Sequence, residues 1–464
     1  MRAPETAGVG TATITIAFDA WKAGHVAPSS HEVRVIPPKF AVKLEPVSTR
    51  LKGELVHPNR TSIISEIHYS PDGKRIIAGD YPGGVVVVWD VATGKQLTAI
   101  ETGYGYRGSA QYFFLSPDWQ TLYVSRAKRH VERVEKEGKR FLNWTFDGDV
   151  RAWDLATGQL TKTFKHQPPR GIRNMQLSPD GTRFVTSEEV PGTYEGQPRS
   201  AASLWDVQTG QYRTLPDGLQ LEKFSPDGGT LAMTTVGHDH ALKLFDTATG
   251  KEKLSIPIKD ANASVFVTAF SPDGRLMMAN YAVYEQAKKW DKSRSWLKWW
   301  DATTGREVAT FAADPNDYFS RSRLSPDGRT FAVTNWQGEK RKLFLFQVPD
   351  KQLVKTVVLG EKKKGERSNL SEPAFSPDGK WLAIITQVLP ETREDLDVHD
   401  VAQPRIHLID MASGEIRETL IAPQAFPWSP CFSPDGRTLA TGGSGRVLLW
   451  HVPDSAGQKV GARE

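Results

Sequence analysis

The tetrapeptide Ser-Pro-Asp-Gly, or a near copy, begins at Ser70, Ser116, Ser178, Ser225, Ser271, Ser325, Ser376 and Ser433. Successive copies stand 46, 62, 47, 46, 54, 51 and 57 residues apart. Each follows an apolar or aromatic residue and precedes a short apolar stretch, as in "YSPDGKRIIAG" and "LSPDGRTFAVT". In this tetrapeptide Pro presets φ at the second turn position, Asp bonds the backbone, and Gly accepts positive φ. Each copy therefore predicts a tight turn between two short strands. Recurrence of one turn at this period means one supersecondary unit repeated along the chain.

A second landmark follows each turn, an alternating strand that ends in an aromatic-Asp pair. The pairs are Trp89-Asp90, Trp153-Asp154, Trp205-Asp206, Phe245-Asp246 and Trp300-Asp301, with degenerate versions at Phe346, Ile409 and Trp450. Most are followed by Ala-Thr-Gly or a close variant, which marks a second hairpin turn. Each unit is thus four short antiparallel strands, a to d, with tight turns at a–b and c–d. The Asp beside the c–d turn has a structural role by default.

These residues resemble the WD40-repeat family of β-propellers over about residues 42–453. The resemblance implies an all-β fold, an eight-bladed β-propeller of four-stranded antiparallel blades. Seven blades, with one degenerate set as an insertion, is the runner-up. The family's Gly-His dipeptide before strand a is mostly missing, with His57 and His166 as remnants, so the buried network that this His anchors is in doubt for most blades. The Ser-Pro-Asp-Gly-rich style looks bacterial. Residues 432–455 supply strands a, b and c of a last blade, and apolar sequence then stops. An orphan strand at 47–56 is expected to lie antiparallel to 446–452 and to close the ring, which removes sheet edges.

Three regions follow: a β extension at 1–41, the propeller at 42–455 and a polar tail at 456–464. Alternation predicts strands at 11–18 and 31–36, with Pro37 and Pro38 marking a linker. This extension either packs on the propeller or is the tail of a truncated β domain.

Of the 464 residues, 39% are hydrophobic and 24% charged, as in soluble globular chains. No run approaches the roughly 18 apolar residues of a membrane span, and no secretory signal is seen, so a cytoplasmic location is expected. Cys431 is the only cysteine, which excludes an intrachain disulfide and a cysteine-based zinc site. A net charge of +5 permits acidic partners without demanding nucleic acid.

Extra length falls almost wholly on the b–c and d–a connections, which share one face of the disc. The b–c insertions are 125–149, 187–201, 280–296 and 386–405, and the longer d–a connections are 101–110, 313–323 and 359–369. Long loops on a rigid scaffold are where function usually sits. The candidate surface collects Tyr104, Tyr106, Arg107, Trp144, Tyr194, Tyr281, Tyr284, Trp290, Arg294, Trp296, Tyr318, Arg321, Arg323 and Trp336, residue types enriched in protein-binding hot spots. Packing of the insertions onto the blades is the competing account of each. The 125–149 and 280–296 insertions are basic and 386–405 is acidic, either a polarised docking surface or solvated loops.

No nucleophile elbow, zinc-protease helix or phosphate-binding loop is present. His238 and His240 are spaced to share a strand face, yet have no third ligand nearby in sequence, so no metal is expected. Eight-bladed quinoprotein dehydrogenases share Asp-x-x-Thr-Gly, which occurs here at Asp90, Asp154 and Asp301, but their Trp is replaced by Thr98, Lys162 and Ala309. The expectation is a non-enzymatic scaffold without catalytic residues or cofactors, monomeric, whose partner is another protein. The alternatives are a quinoprotein-like enzyme or small-ligand binder using the central channel, and a single-stranded nucleic-acid binder through basic aromatic loops.

Overall fold

The structure is a computed structural model, and it describes residues 10–16, 29–35, 49–58, 63–81, 84–102, 113–126, 129–136, 139–190, 199–235, 240–260, 262–284, 293–314, 317–335, 338–361, 366–390, 404–422 and 428–454. Eight antiparallel sheets succeed one another along the chain, each with the order a-b-c-d. The first comprises Ile63–Tyr69, Arg75–Tyr81, Val85–Asp90 and Gln96–Glu101. Strands a of neighbouring blades approach one another, so they ring a central channel and strands d form the rim. The hydrophobic clusters lie between blades. One joins Leu242, Leu244 and Ile256 of the fourth blade to Val265, Met277 and Trp300 of the fifth. No helix occurs among the described residues, and none is long and apolar enough to cross a membrane.

The eighth blade takes strands a, b and c from Trp428–Phe432, Thr438–Gly443 and Arg446–His451, and its strand d from Leu51–Val56. Leu51 stands opposite Trp450 and Val56 opposite Arg446, so the orphan strand closes the ring as the repeat arithmetic requires. The His57 amide donates to the Gly445 carbonyl at 2.9 Å, and the His451 amide to the Arg50 carbonyl at 2.9 Å. Leu55 is buried among Ile64, Trp89, Val447 and Leu449 of the first and last blades.

The turns are held by their own side chains. In the first copy the Ser70 hydroxyl donates to Asp72 Oδ1 at 2.5 Å, the same oxygen accepts the Lys74 amide, and the Arg75 amide donates back to the hydroxyl. All eight serines make the equivalent bond to their Asp. The Ser70 hydroxyl and the Lys74 amide hold Asp72 below its usual carboxylate range. Seven copies place Gly at φ between 69° and 71°, and the near copy at Ser116 puts Trp119 there at φ 59°. At the c–d turn, the hydroxyl and amide of Thr93 both donate to Asp90 Oδ1, at 2.7 and 2.8 Å. The Asp of the Trp-Asp pair is therefore a turn cap.

The insertions are more regular than loops. Strands b and c of the third blade run on from Arg183 to Val190 and from Arg199 to Asp206. Those of the fifth continue as far as Tyr284 opposite Ser293. In the seventh blade, Glu366–Leu370 pairs with the outer half of Trp381–Pro390. The 125–149 insertion contains its own hairpin, Arg129–Lys136 with Lys139–Phe146, which joins no blade sheet. Near the N-terminus Gly10–Ile16 pairs with Ser29–Val35, close to the two strands expected there.

Candidate interaction face and central channel

Antiparallel pairing puts the a–b and c–d turns at one end of every blade and the b–c and d–a connections at the other. The turn end is uniform. Between neighbouring blades it holds shallow polar clefts, one of about 270 Å³ bordered by Asp227, Lys253, Asp273 and Arg275. The other end carries the extended strand arms and the 129–146 hairpin.

On this face the structure assembles part of the expected surface. In the fifth blade Arg294, Trp296 and Lys298 alternate along strand c beside Tyr281 of strand b. The Arg294 guanidinium lies 5.9 Å from the Trp296 ring and the Lys298 ammonium 4.5 Å from the Tyr281 ring. The two rings are 6.1 Å apart. Both cation–ring contacts fall within the range of effective cation–π attraction. Tyr281 is buried and donates to Asp260 at 2.6 Å. Its burial, reinforced by Asp260, pushes the phenol well above its usual range. Trp296 is half-buried and Arg294 exposed, so these two present the outer end of the ladder.

Other expected residues are placed differently. Tyr318 is buried, beside a d–a connection pinned by Lys342, which reaches Asp314 at 2.6 Å and Asp317 at 2.8 Å. Its ring packs inside the protein and offers no surface to a partner. Arg321 and Arg323 are exposed on strand a of the sixth blade, so they border the channel rather than the loop rim. Trp144 stands opposite Val131 in the hairpin. Tyr104, Tyr106, Arg107, Tyr194, Trp290 and Trp336 lie outside the described residues, as do the side chains of Trp144 and Tyr284.

The histidines divide in two. Among the described residues, the first residue after strand d is buried at His57, Thr102, His166, Leu215 and Ala422, and only two of these five are His. His166 belongs to a buried polar network. Its Nε2 is 2.9 Å from Glu188 Oε1, and the Arg170 guanidinium is 2.7 Å from Glu188 Oε2. Ser203 and Thr186 also donate to that carboxylate, and the Trp205 indole donates to Thr186 at 2.9 Å. Burial pushes the Glu188 carboxyl up, but His166, Thr186 and Arg170 together hold it below its ordinary value. His57 packs 6.2 Å from Trp89 in the first blade. His407 is buried between Thr386 and Thr419, each at 3.0 Å, and burial with nearby Arg405 and Arg341 lowers it to about 4. His238 is outside the described residues, and His240 serves through its carbonyl, which accepts the Ile258 amide. Among the described residues no group of three His, Cys, Asp or Glu is placed to hold a metal.

The channel holds residues that motif searching passed over. One layer of strand a contains His68, Phe114, Gln176, Lys223, Ala269, Arg323, Ala374 and Cys431, one from each blade in equivalent register. Arg323 contacts Glu372 of the seventh blade at 3.5 Å. Burial lowers Lys223 from its ordinary value, Glu372 opposes that shift, and Arg323 adds to it. Glu222 beside Lys223 turns instead to the neighbouring blade. Its carboxylate takes the Thr234 hydroxyl and the Val267 amide, each at 2.8 Å, and burial pushes it up to about 8. A sequence signal for the layer exists: its members all lie two residues before the Ser of each turn motif.

Comparison with known proteins fits this architecture. The WD domain, G-beta repeat family model matches residues 414–451, a span that covers strand d of the seventh blade and strands a to c of the eighth. Apoptotic protease-activating factor 1 of Rattus norvegicus is 24% identical over 304 residues, 61% of this chain and 19% of that protein. A guanine nucleotide-binding protein subunit beta of Zea mays is 27% identical over 202 residues, 40% of this chain and 45% of that protein. WD repeat-containing protein SL1-17 of Schistosoma mansoni is 31% identical over 152 residues, 31% of this chain and 44% of that protein. The matches to the rat, human and mouse factors span only 16 to 19% of those proteins' length. With eight blades, turn-capping aspartates and a ring closed by strands from distant parts of the sequence, the chain is an eight-bladed β-propeller built from repeats similar to those of the WD40-repeat family.

Proposed function

We propose that this propeller is a non-enzymatic scaffold that captures another protein on its b–c and d–a face. The observation that carries the reading is the asymmetry of the disc. One end is spent on turns whose hydroxyls and carboxylates bond each other. The other end projects strand arms from the third, fifth and seventh blades and a hairpin from the second. The exposed Arg294 over half-buried Trp296 supplies the residue types that dominate binding hot spots. Relatives with this repeat include a protein named as the beta subunit of a guanine nucleotide-binding protein, which supports assembly as the general role.

The test is affinity capture from the native cell extract with the intact chain and a variant carrying Trp290→Ala, Arg294→Ala and Trp296→Ala. Loss of one specific partner with the variant, and its retention by a turn-face variant such as Lys251→Ala, supports the reading. Equal recovery of that partner by all three proteins would refute it.

A further inference from the structure

Arg294 differs from other cations of these blades in what it meets. Arg170 is 2.7 Å from Glu188, Lys298 is 2.9 Å from Glu307, and Lys342 is 2.6 Å from Asp314. Arg294 meets a ring, with its guanidinium 5.9 Å from Trp296, and among the described residues no carboxylate pairs with it. A cation–ring contact uses the charge but supplies no hydrogen-bond acceptor, so the N–H donors of the guanidinium stay available. The side chain is exposed. Its backbone stands where the fifth blade outgrows its neighbour. Aligned on the aromatic-Asp pair, the last b–c pair of the fourth blade, Thr234 with Leu242, matches Asn280 with Leu297 in the fifth. The pairs beyond it, from Tyr281 with Trp296 to Tyr284 with Ser293, have no counterpart in the fourth blade. Strand d of the fifth blade stops pairing at Ala312, opposite Trp296, so Arg294 also lies past the rim strand. Val283 is the register partner of Arg294, and both Val283 and Trp296 are only partly buried against the cluster shared with the fourth blade. The arm thus ends in an apolar step topped by a cation with no partner acid. In sequence, the 280–296 insertion sets Lys288, Lys289, Lys292 and Arg294 against Glu285 and Asp291, which makes the local field positive.

We infer that the fifth-blade arm recognises an acidic, apolar segment of a partner protein. A carboxylate of that segment takes the Arg294 guanidinium, and an aliphatic or aromatic side chain beside it covers Trp296 and Val283. The inference rests on the capture reading above and names the partner's chemistry at that site. Guanidinium and carboxylate match in shape and pair through charge-assisted hydrogen bonds, the strong and directional kind. Cover over Trp296 keeps water from the pair, as the surroundings of a binding hot spot do. The positive arm also steers an acidic segment toward it, and salt screens that attraction.

The test selects peptides from a random-sequence display library on the intact chain and measures the strongest by fluorescence polarisation. Enrichment of Asp or Glu next to an apolar or aromatic residue is expected. Arg294→Gln should weaken binding of that peptide about tenfold, the usual loss for a hydrogen bond to a charged group. Trp296→Ala should weaken it as well, while Lys251→Ala on the turn face should not. Arg294→Glu should abolish binding of the acidic peptide, and a peptide with its acids changed to Lys should recover it on that variant. A folding defect cannot produce such a recovery, and Arg294 is exposed. Peptides with no acidic enrichment, or an affinity unchanged by Arg294→Glu, would overturn the inference. So would a mixed-sequence single-stranded oligonucleotide that binds the arm more tightly than the selected peptide, which would assign the site to nucleic acid. Peptides lost with Trp296→Ala but indifferent to Arg294 would sink the acidic assignment alone and leave capture on this face standing.

Discussion

Ring closure by Leu51–Val56 makes Leu55 a keystone, and Leu55→Ala tests it. The side chain is 3% exposed and packs between the first and last blades. Truncation removes three carbons, which forfeits about 2.4 kcal/mol at about 0.8 kcal/mol per buried carbon. The cavity left between two rigid sheets adds about 1 kcal/mol, so the expected loss is about 3–4 kcal/mol, inside the usual range for buried Leu→Ala. Val56 is the internal control, since it is the next residue in the same strand but 38% exposed. Val56→Ala should change stability by less than about 0.5 kcal/mol. The assay is urea denaturation followed by tryptophan fluorescence, because Trp89 and Trp450 belong to the first and last blades whose contact the strand completes. Limited proteolysis should in parallel cut Leu55→Ala faster than the parent chain. Equal midpoints for Leu55→Ala and Val56→Ala would mean that the strand is not integral to the closing blade, and the closure reasoning would fall.

Three further outcomes are expected. Glu222 is raised from 4.5 to about 8, so the native state holds its proton more tightly than the unfolded chain. Its contribution is therefore complete below about pH 4.5 and is lost as pH rises through about 8. That gap sets a ceiling of about 5 kcal/mol, and solvent reaching the partly buried carboxyl reduces it to about 2–3 kcal/mol. Glu222→Gln should flatten the fall in thermal midpoint between pH 6 and pH 9, to be followed by calorimetry, and an unchanged slope would count against the assignment. Gly328 and Gly379 occupy equivalent turns at φ 69°, yet a Cβ on Gly328 meets Pro272 Cγ at 2.0 Å while one on Gly379 meets nothing within 4 Å. Gly379→Ala should cost about 1–2 kcal/mol from backbone strain alone, Gly328→Ala about 1–3 kcal/mol more, and denaturation midpoints in the reverse order would contradict this. Glu188→Ala strips the counter-charge from buried His166 and Arg170 and should cost about 3–5 kcal/mol. Removal of Glu418 from its part-exposed pair with Arg50 should cost no more than about 1 kcal/mol, and the same urea curves decide between them.

The repeat was legible because its chemistry is local. Ser, Pro, Asp and Gly in that order determine a turn whatever lies around them, and eight such turns with eight following strands specify eight blades. Closure was legible for a related reason: a sheet with three strands at the end of the chain and one unclaimed strand near residue 50 has one economical solution. The insertions were misjudged as loops because Gly, Pro and charged residues mark their tips, while alternation at Val185–Val190 and Met277–Tyr284 continues the flanking strands beyond the disc. Tyr318 looked like surface because it sits in a polar connection, "DPNDYFSRSR". Its burial depends on Lys342, Asp314 and Asp317 fastening that connection to strand c of the sixth blade, a contact across 25 or more residues that no local pattern announces. The Arg323–Glu372 contact was invisible for the same reason, since it joins the sixth and seventh blades.

The eight-fold repeat itself separates what the fold requires from what it leaves free. At the turn Ser the residue type never varies among the eight copies, because its hydroxyl closes two hydrogen bonds that the hairpin needs. Two residues earlier the same strand holds His, Phe, Gln, Lys, Ala, Arg, Ala and Cys. Seven residue types in eight copies show that the blade sets no chemistry there, although its neighbour one place on is buried as Tyr69, Phe224, Phe270 and Phe432 in half the blades. The two positions differ in how tightly packing limits them: at the first, Phe114, Ala269, Ala374 and Cys431 pack against the clusters between blades while His68, Lys223 and Arg323 stay at least partly exposed, and at the second an apolar residue is retained in every copy. A ring of repeats can vary the first without unfolding any unit. This layer of strand a is thus a place where the molecule can differ chemically from another propeller built on the same turns.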